Sequence, residues 1–572
     1  MRDGTTLRAD VYRPDDEGEY PVLLLRTPYD KTFAQNFVYQ HPSWYAKHRY
    51  VVVVQDNRGR NASDGEFSPL RHEGFDGYDT IEWAAALEGT TGRVGTYGFS
   101  YPGAVQLLAA AEQPPSLACC IPGFTGSDFF DGWTYKGGAF HHAFVIAWVM
   151  QFLAIPDALK RGDRDAAARL AAAAGDLDSL YAAQPLREFT PLREAGVAPY
   201  FFEWLEHDTR DDYWKEISLQ EHGRYDRIDV PCLHVVGWYD TFVEGTLTNF
   251  TELLGRANRD PRRTQRLLVG PWFHIPWGRL NGARNFGQQA DNPIDEIQLA
   301  WFDHWLKDEG SAEPEKPAAR IFVMGANRWR DADAWPPREV RIETWYLRSS
   351  GRALSVSGDG TLSREPPEDE APDVYAYLPV APAPSLGGNS CCLPDAAPMG
   401  AFDQTSVEVR NDVLVYSTQA LERDVEVTGP IELVLHAATD VVDTDWTAKL
   451  VDVCPDGCAW NICDGIVRAR FRESLEEPTL LEPGRVYEYR LRVGSTSNVF
   501  KRGHRIRLEI SSSNYPMHDV NTNTGARVKD ATLLDAVVAT QVVYHDRARP
   551  SRLLLPVVPH DDEAFAGSEG GA

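Results

Sequence analysis

This sequence predicts an α/β core that is interrupted by a helical insertion and followed by an all-β region. Short Val- and Leu-rich runs alternate with helical segments in the first third of the 572 residues. Strand-like runs nearly vanish after residue 127, and many short alternating segments follow residue 336. We therefore place the α/β domain at residues 1–126 and 229–335, the insertion at 127–228 and the β region at 336–572.

The predicted strands of the α/β domain are short, apolar and bounded by polar turns. Such runs are typical of strands that are buried on both faces of a mainly parallel sheet. They lie at residues 21–25, 50–55, 94–98, 117–121, 232–237 and 267–270. Helices are expected to alternate with them, at residues 104–112, 244–254 and 296–306.

The insertion is rich in alanine and aromatic residues and predicts helices, among them 140–153 and 165–174. We expect it to lie over the sheet as a cap. The β region has short strands at 342–347, 431–436, 447–453 and 505–511, separated by Gly, Pro, Asp and Asn turns. That spacing is typical of an antiparallel sandwich or a β-jelly roll. Residues 349–383 are rich in Gly, Pro, Ser and acidic residues and are expected to form a loop.

Composition and charge exclude several classes of protein. The chain has 57 Lys and Arg against 84 Asp and Glu, a net charge of −27, whereas binding to nucleic acid or to anionic lipid needs a positive surface. No run of about 18 uninterrupted apolar residues occurs, so no membrane span is expected. Eight cysteines are too few for a disulfide scaffold, and a cytoplasmic location is expected.

The run GFSYPG at 98–103 follows a predicted strand and precedes a predicted helix, which is the context of a nucleophile elbow. Glycines around Ser100 allow a sharp turn that lifts its side chain above the sheet, near a helix N-terminus that favours developing negative charge. The match to G-x-S-x-G is imperfect, because Pro102 holds the second glycine position and Gly103 comes one later. An ordinary glycine-rich turn is the alternative.

Two further residues complete the order Ser, acid, His of the α/β-hydrolases. Asp240 ends the run GWYD after one predicted strand, and His274 ends GPWFH after the next. At the same edge of the sheet, His274 would take the proton of Ser100 and Asp240 would orient the imidazole. Taken singly, Asp240 could equally be a helix cap and His274 a loop residue, but the three in order favour a catalytic triad.

These runs, with TPYDK at 27–31 and DNRG at 56–59, resemble the cocaine esterase-like hydrolases. That family includes α-amino-acid ester hydrolases and glutaryl acylases and is related to the X-prolyl dipeptidyl-peptidases. The resemblance covers essentially the whole chain, with DTDWTAKL at 443–450 and TSNVF at 496–500 similar to the family's C-terminal jelly roll. It implies an α/β-hydrolase domain with an inserted helical cap and a C-terminal β-jelly roll.

The resemblance also implies an oxyanion hole and a pocket. The hydroxyl of Tyr29 and the backbone N–H of Tyr101 would bind the oxyanion, although from the sequence alone Tyr29 would be a packed aromatic. By the same comparison the substrate-binding residues are Gln40, Trp133, Trp148 and Phe242, for which packing is the alternative. An aromatic pocket suits an aromatic or hydrophobic acyl group.

The cysteines and paired histidines predict no metal site. Cys454, Cys458 and Cys463 surround a hairpin turn without a fourth ligand, and the adjacent histidines at 141 and 142 would point in different directions on a helix. Cys391 and Cys392 follow a loop that in the family approaches the active site, so they join the predicted substrate-binding residues. Two thiols are expected there, with a vicinal disulfide as the alternative. The family's namesake carries bulky apolar residues at this place, and the departure weighs against a cocaine-like substrate.

The sequence as a whole predicts a serine hydrolase that cleaves carboxylic esters, and some amides, through an acyl-enzyme and without a cofactor. Its expected partner is a small ester or amide substrate, and a homodimer is an open alternative to a monomer. An X-prolyl dipeptidyl-peptidase, an aminopeptidase or an α-amino-acid ester hydrolase is the rival, if acidic residues converge on a substrate ammonium. From a different class, the β region could bind carbohydrate beside an inactive hydrolase domain.

Overall fold

The structure, a computed structural model, describes residues 1–33, 38–257, 264–307, 317–392 and 394–559. The strands of its first part are β1 (Ala9–Tyr12), β2 (Tyr20–Thr27), β3 (Val51–Asp56), β4 (Thr90–Phe99), β5 (Leu117–Gly123), β6 (Tyr135–Lys136), β7 (Ala139–Phe140), β8 (Cys232–Gly237), β9 (Gln265–Gly270), β10 (Leu280–Asn281), β11 (Arg284–Asn285), β12 (Ala319–Val323) and β13 (Arg328–Ala332).

Nine of these strands form one sheet in the order β1-β3-β2-β4-β5-β8-β9-β12-β13. The neighbours from β3 to β12 are parallel, whereas β1 and β13 pair antiparallel at the two edges. Every residue of β2, β3 and β8 is buried, as expected for strands covered on both faces. The parallel order places the carboxyl ends of β2, β4, β8 and β9 at the same edge, and the loops that follow them build the site.

Helices cover both faces of this sheet and fill the segment between β5 and β8. They are α1 (Pro42–Lys47), α2 (Glu73–Ala85), α3 (Tyr101–Ala110), α4 (His142–Trp148), α5 (Ile155–Lys160), α6 (Arg164–Ala174), α7 (Leu177–Tyr181), α8 (Thr190–Ala195), α9 (Pro199–Glu206), α10 (Asp212–Lys215), α11 (Arg224–Arg227), α12 (Val243–Arg256) and α13 (Ile294–Leu306). The short α14 (Thr405–Glu408) belongs to the last part of the chain. We call residues 127–228, which contain α4 to α11, the helical insertion. It also holds the short hairpin β6–β7, which the sequence pattern did not predict.

The segment His142–Lys160 joins α4, a π-helical stretch at Val149–Ala154 and α5. By length and composition it is the one described helix that could cross a membrane. However, 67% of its most apolar window is buried inside the protein, as in the core helix of a globular domain. Arg60 holds this segment to the sheet, because its buried guanidinium donates to the carbonyls of Phe152 and Leu153 and pairs with Asp157.

The remaining strands are β14 (Arg341–Arg348), β15 (Thr361–Ser363), β16 (Asp373–Tyr377), β17 (Leu414–Ser417), β18 (Val425–Thr439), β19 (Asp445–Val453), β20 (Ala459–Arg468), β21 (Tyr487–Phe500), β22 (Arg505–Ser511), β23 (Ala539–Asp546), β24 (Arg549–Pro550) and β25 (Arg552–Val557). They form one twelve-stranded sheet system, and most of its pairs are antiparallel. We call residues 336–559 the β region.

The prediction of a loop over residues 349–383 is wrong in part, because β15 and β16 lie within it. Along β16 buried and exposed residues alternate, with Asp373, Tyr375 and Tyr377 inside. This period of two is the signature of a half-buried strand, and here the Gly, Pro and acid content of the surrounding stretch obscures it.

The β region packs directly against the α/β sheet. One continuous apolar cluster contains Val236 and Phe322 from the sheet together with Leu433 and Trp446 from the β region. A second cluster lies under the helical insertion and reaches Cys391 from the β region. Sheet, insertion and β region therefore meet around the carboxyl ends of β4, β8 and β9.

Candidate active site

Ser100 stands between β4 and α3 in a backbone conformation that L-residues rarely adopt, with φ 66° and ψ −129°. Two glycines make this turn sterically feasible. A Cβ on Gly98 would lie 2.6 Å from Cβ of Pro102, and one on Gly103 would lie 2.4 Å from the carbonyl oxygen of Gly123. Gly103 thus lets α3 pack closely against β5. This contact explains why a glycine is needed at position 103, one residue after the second glycine position of the G-x-S-x-G pattern.

A buried glutamine holds the turn together. The side-chain amide of Gln106, on α3, donates to the carbonyls of Gly98, Pro102 and Ile121 at 2.9–3.0 Å. Its oxygen accepts from the hydroxyl of Thr96 and from the N–H of Ile121, both at 3.0 Å. Because every polar atom is paired, this residue fixes β4, α3 and β5 around Ser100.

Asp240 and His274 follow β8 and β9 and meet each other directly. Nδ1 of His274 donates to Oδ2 of Asp240 at 2.5 Å, and both side chains are nearly inaccessible to solvent. The other oxygen, Oδ1, accepts from the N–H of Phe242 at 2.7 Å. Burial raises the pKa of Asp240, while the charge and the hydrogen bond of His274 act the other way. The bond to Nδ1 leaves Nε2 as the free nitrogen of the ring.

Aromatic rings hold His274 in place on several sides. The ring of Phe99, the residue before Ser100, is 5.5 Å from the imidazole, and those of Phe242 and Phe124 are 5.4 and 6.0 Å away. Trp277 stacks on Phe124 at 4.2 Å and donates its Nε1–H to the carbonyl of His274. The imidazole therefore has one orientation, set by packing and by Asp240.

Tyr29 lies after β2, and its side chain comes close to that of Ser100. Nε1 of Trp148 in the helical insertion donates to the Tyr29 hydroxyl oxygen at 3.0 Å. Burial raises the pKa of Tyr29 to about 12, although the hydrogen bond with Trp148 and the nearby Ser100 act in the opposite direction. The phenol consequently stays protonated at physiological pH and is able to donate a hydrogen bond to an anion.

Tyr101 presents its backbone and its side chain in different directions. It is the first residue of α3, so its N–H is one of those left unpaired at a helix N-terminus. Its hydroxyl instead donates to Glu73 and accepts from the N–H of Leu70, both at 2.8 Å. Glu73 is itself buried, paired with Arg26 at 2.9 Å. The phenol therefore anchors the residue that directly follows Ser100.

The predicted pocket residues divide into two groups. Trp133 stacks obliquely on Phe242 at 4.2 Å and lies 5.8 Å from Trp148, and all three belong to one buried cluster beside Tyr29. Gln40 lies elsewhere. Its N–H donates to Asp295 at 2.9 Å, and its exposed side chain lines a separate cleft of about 760 Å³ beside α13. The structure does not bring Gln40 together with the other predicted site residues.

Cys391 and Cys392 form a disulfide, so the expectation of two thiols is wrong. The reason is proximity, since adjacent residues keep the two sulfurs together and only local geometry decides between thiols and disulfide. Both cysteines pack in the cluster of Trp133, Trp148 and Phe242. The wall of the site nearest the β region is therefore a disulfide.

Cys454 and Cys458 face each other across their hairpin, where the N–H of Cys454 donates to the carbonyl of Cys458. The hairpin residues Cys454 and Cys458 are partly exposed free thiols, and Cys463 is buried. His141 and His142 bond to the carbonyls of Trp133 and Tyr181. Within the described ranges, the one group with metal-ligand proximity is His274 with Cys391 and Cys392.

Some site residues were not found by sequence reasoning. Gln106 carried a weak local signal, a polar residue on an otherwise apolar helix. Glu73 and Asn389 carried none, because they act across the fold. The side-chain amide of Asn389 donates to the carbonyls of Trp238 and Asp240 at 2.7 and 3.2 Å and so holds the loop before the disulfide.

Comparison with known proteins matches both halves of the chain. Residues 3–276 match the X-Pro dipeptidyl-peptidase (S15 family) model, and residues 313–554 match the X-Pro dipeptidyl-peptidase C-terminal non-catalytic domain. Cocaine esterase from Rhodococcus sp. (strain MB1 Bresler) is 38% identical over 569 residues, which cover 98% of this chain and 97% of that esterase.

Solved structures share the fold over nearly the whole length. An α-amino acid ester hydrolase superposes with a TM-score of 0.82 at 24% identity, covering 97% of this chain and 95% of its own. An aminopeptidase from a marine sediment Thaumarchaeota archaeon gives 0.81 at 24% identity, with coverage of 98% and 95%. The chain therefore belongs to the cocaine esterase-like, X-Pro dipeptidyl-peptidase-related family of serine hydrolases.

Proposed function

We propose that this hydrolase cleaves carboxylic esters of small acyl groups, with Ser100, His274 and Asp240 as the catalytic triad. The buried 2.5 Å hydrogen bond between His274 and Asp240 carries the proposal. It leaves Nε2 free to act as a base, at the edge of the sheet where the elbow presents Ser100. The family relationship supports ester cleavage as the reaction.

Acylation begins when Nε2 of His274 takes the proton of Ser100 and Oγ attacks the ester carbonyl. The negative charge that develops on the carbonyl oxygen is met by the hydroxyl of Tyr29 and the N–H of Tyr101. Each such donor is worth about 10²–10³ in rate. Asp240 stabilises the imidazolium, which then gives its proton to the leaving alcohol.

Deacylation repeats these steps with water. The neutral His274 takes a proton from a water molecule, which attacks the acyl carbon, and the same two donors hold the second oxyanion. The acid leaves when the imidazolium returns the proton to Ser100.

We further infer that the helical insertion is a cap over an α/β-hydrolase domain and that the β region is a jelly roll. Trp148 supports the first point, since it lies in the insertion and bonds to Tyr29 of the sheet domain. The long antiparallel pair β18–β21 and the twelve-stranded arrangement support the second.

We assign an aromatic or hydrophobic acyl group to the pocket. Phe242 packs on His274, Trp148 bonds to Tyr29, and Trp133 packs against both of these aromatic residues. Burying a phenyl-sized group is worth about 1.5–3 kcal/mol. We therefore expect kcat/KM for p-nitrophenyl benzoate to exceed that for p-nitrophenyl acetate by about tenfold or more.

The test is a panel of acyl, α-aminoacyl and amide substrates with wild type and Phe242→Ala. The benzoate-to-acetate ratio within each enzyme serves as its internal control, and Phe242→Ala should lower it. A preference for the α-aminoacyl ester or for a dipeptidyl amide would instead favour an aminopeptidase. No turnover of any substrate would favour a binding protein. The cytoplasmic location and the homodimer stay predictions.

A further inference from the structure

The Cys391–Cys392 disulfide lies directly beside His274. A ring nitrogen of His274 and both sulfur atoms are all within 4.8 Å of one another. Because Nδ1 is bonded to Asp240, Nε2 is the nitrogen that faces an incoming ligand. Cys391 is fully buried and Cys392 is partly exposed, so the pair has one side in the site and one side toward solvent.

The loop that carries the disulfide is tied to Asp240 by backbone and side-chain contacts. Ser390 pairs with Asp240 in a parallel β-bridge, and Asn389 donates to the carbonyls of Trp238 and Asp240. Gly388 and Gly400 exchange two backbone hydrogen bonds of 2.9 Å just before it. These contacts do not involve the sulfur atoms. They therefore persist when the S–S bond is broken, and the two sulfurs stay near His274.

We propose that reduction of this disulfide creates a binding site for a thiophilic divalent cation such as Zn²⁺, formed by both thiolates and Nε2 of His274. Two cysteines and one histidine are a donor set that zinc favours, with one coordination position left open. The disulfide form offers no thiolate. The site therefore exists only in the reduced enzyme. Metal bound there is expected to inhibit ester hydrolysis, and this part of the proposal rests on the proton-transfer role proposed for His274.

A phosphine is the reductant that opens the disulfide. The disulfide takes two electrons and two protons and becomes two thiols, while the phosphine becomes its oxide with oxygen from water. Zn²⁺ then displaces the two thiol protons and forms two Zn–S bonds and one Zn–N bond. The lone pair of Nε2 is now used by the metal, so His274 cannot accept the proton of Ser100.

The test compares full-length protein before and after treatment with a water-soluble phosphine that is then removed. Thiol titration checks that reduction releases the two additional thiols. We expect reduced protein to retain one more zinc per chain than oxidised protein after gel filtration, and to give a thiolate–cobalt absorption band with Co²⁺. Ester hydrolysis by the reduced enzyme should fall by about 10²-fold or more on adding Zn²⁺, as expected for loss of a general base, and recover with a chelator.

Matched variants locate the site. Cys454→Ser/Cys458→Ser removes the partly exposed thiols of the hairpin and should keep the zinc effect unchanged. In Cys391→Ser/Cys392→Ser the ratio of activities with and without zinc should stay near one, whatever the activity itself. His274→Ala should weaken Co²⁺ binding by the reduced protein by about 10–100-fold or more.

Equal zinc binding or equal zinc sensitivity of the oxidised and reduced proteins would overturn the proposal. Zinc inhibition that persists in Cys391→Ser/Cys392→Ser would do the same. If oxidised, zinc-free protein shows no ester hydrolysis, the proposed function fails instead. The zinc stoichiometry and the cobalt spectrum still decide whether the site exists.

Discussion

Nε1 of Trp148 donates a hydrogen bond to the hydroxyl oxygen of Tyr29, across 3.0 Å between the helical insertion and the sheet domain. An indole N–H is able only to donate, so the phenol oxygen must accept and its own proton remains free. Trp148 thus fixes the direction in which Tyr29 offers its proton. The insertion thus contacts, through Trp148, the tyrosine to which we assign the oxyanion.

Trp148→Phe keeps an aromatic ring and removes this N–H. Because one such hydrogen bond is worth about 0.5–1.5 kcal/mol, we expect kcat to fall roughly 3- to 10-fold with little change in KM. Trp214→Phe is the matched control, since its Nε1 donates to the carbonyl of His207 elsewhere in the insertion. Steady-state kinetics check both variants, and an equal loss in the two would show that only packing is involved.

Tyr29→Phe and Tyr101→Phe remove the same atom from two tyrosines with different roles. Tyr29→Phe should lower kcat by about 10²–10³-fold, because it removes one donor of the proposed oxyanion hole. Tyr101→Phe keeps the backbone N–H, removes one of the hydrogen bonds of Glu73 and leaves the N–H of Leu70 without this acceptor, so it should lower the free energy of unfolding by about 1–3 kcal/mol. Its kcat should change less than that of Tyr29→Phe. The opposite ranking of kcat would contradict these assignments.

The pH dependence of kcat follows from the state of Tyr29. The phenol must be protonated to donate, and burial raises its pKa to about 12. Activity should therefore persist as pH rises through about 10, where an ordinary tyrosine loses its proton. Stopped-flow assays up to pH 10.5 on wild type and Tyr29→Phe measure this. A fall near pH 10 in wild type that is absent from Tyr29→Phe would show an ordinary phenol.

Asp240→Asn should lower kcat by about 10⁴-fold, because an amide in this place stabilises the wrong tautomer of His274 and cannot stabilise the imidazolium. Asp295→Asn is the matched control. That carboxylate is partly buried and accepts from Tyr45 and from the N–H of Gln40, away from His274. Its variant should lose stability and keep kcat, and calorimetry with steady-state kinetics separates the two effects.

The site features that could be predicted from the sequence are those formed by residues contiguous in the chain. The elbow at 98–103, and the carboxylate and histidine after two strands, follow from local patterns and chain order. Glu73 and Asn389 could not be found in this way, because each acts on a residue distant in sequence, Tyr101 in one case and Asp240 in the other. The disulfide could not be predicted, because two adjacent cysteines in a sequence do not show whether the local backbone geometry allows their sulfur atoms to bond. The position of Gln40 beside α13 could not be predicted either, because it depends on how its loop packs against that helix.

The most direct test of the central assignment, Ser100 as nucleophile, is peptide mapping of the protein after reaction with a fluorophosphonate. We expect a single stoichiometric adduct on the peptide that contains Ser100, parallel loss of ester hydrolysis, and neither adduct nor activity in Ser100→Ala. An adduct on another residue, or ester hydrolysis that survives in Ser100→Ala, would contradict the assignment.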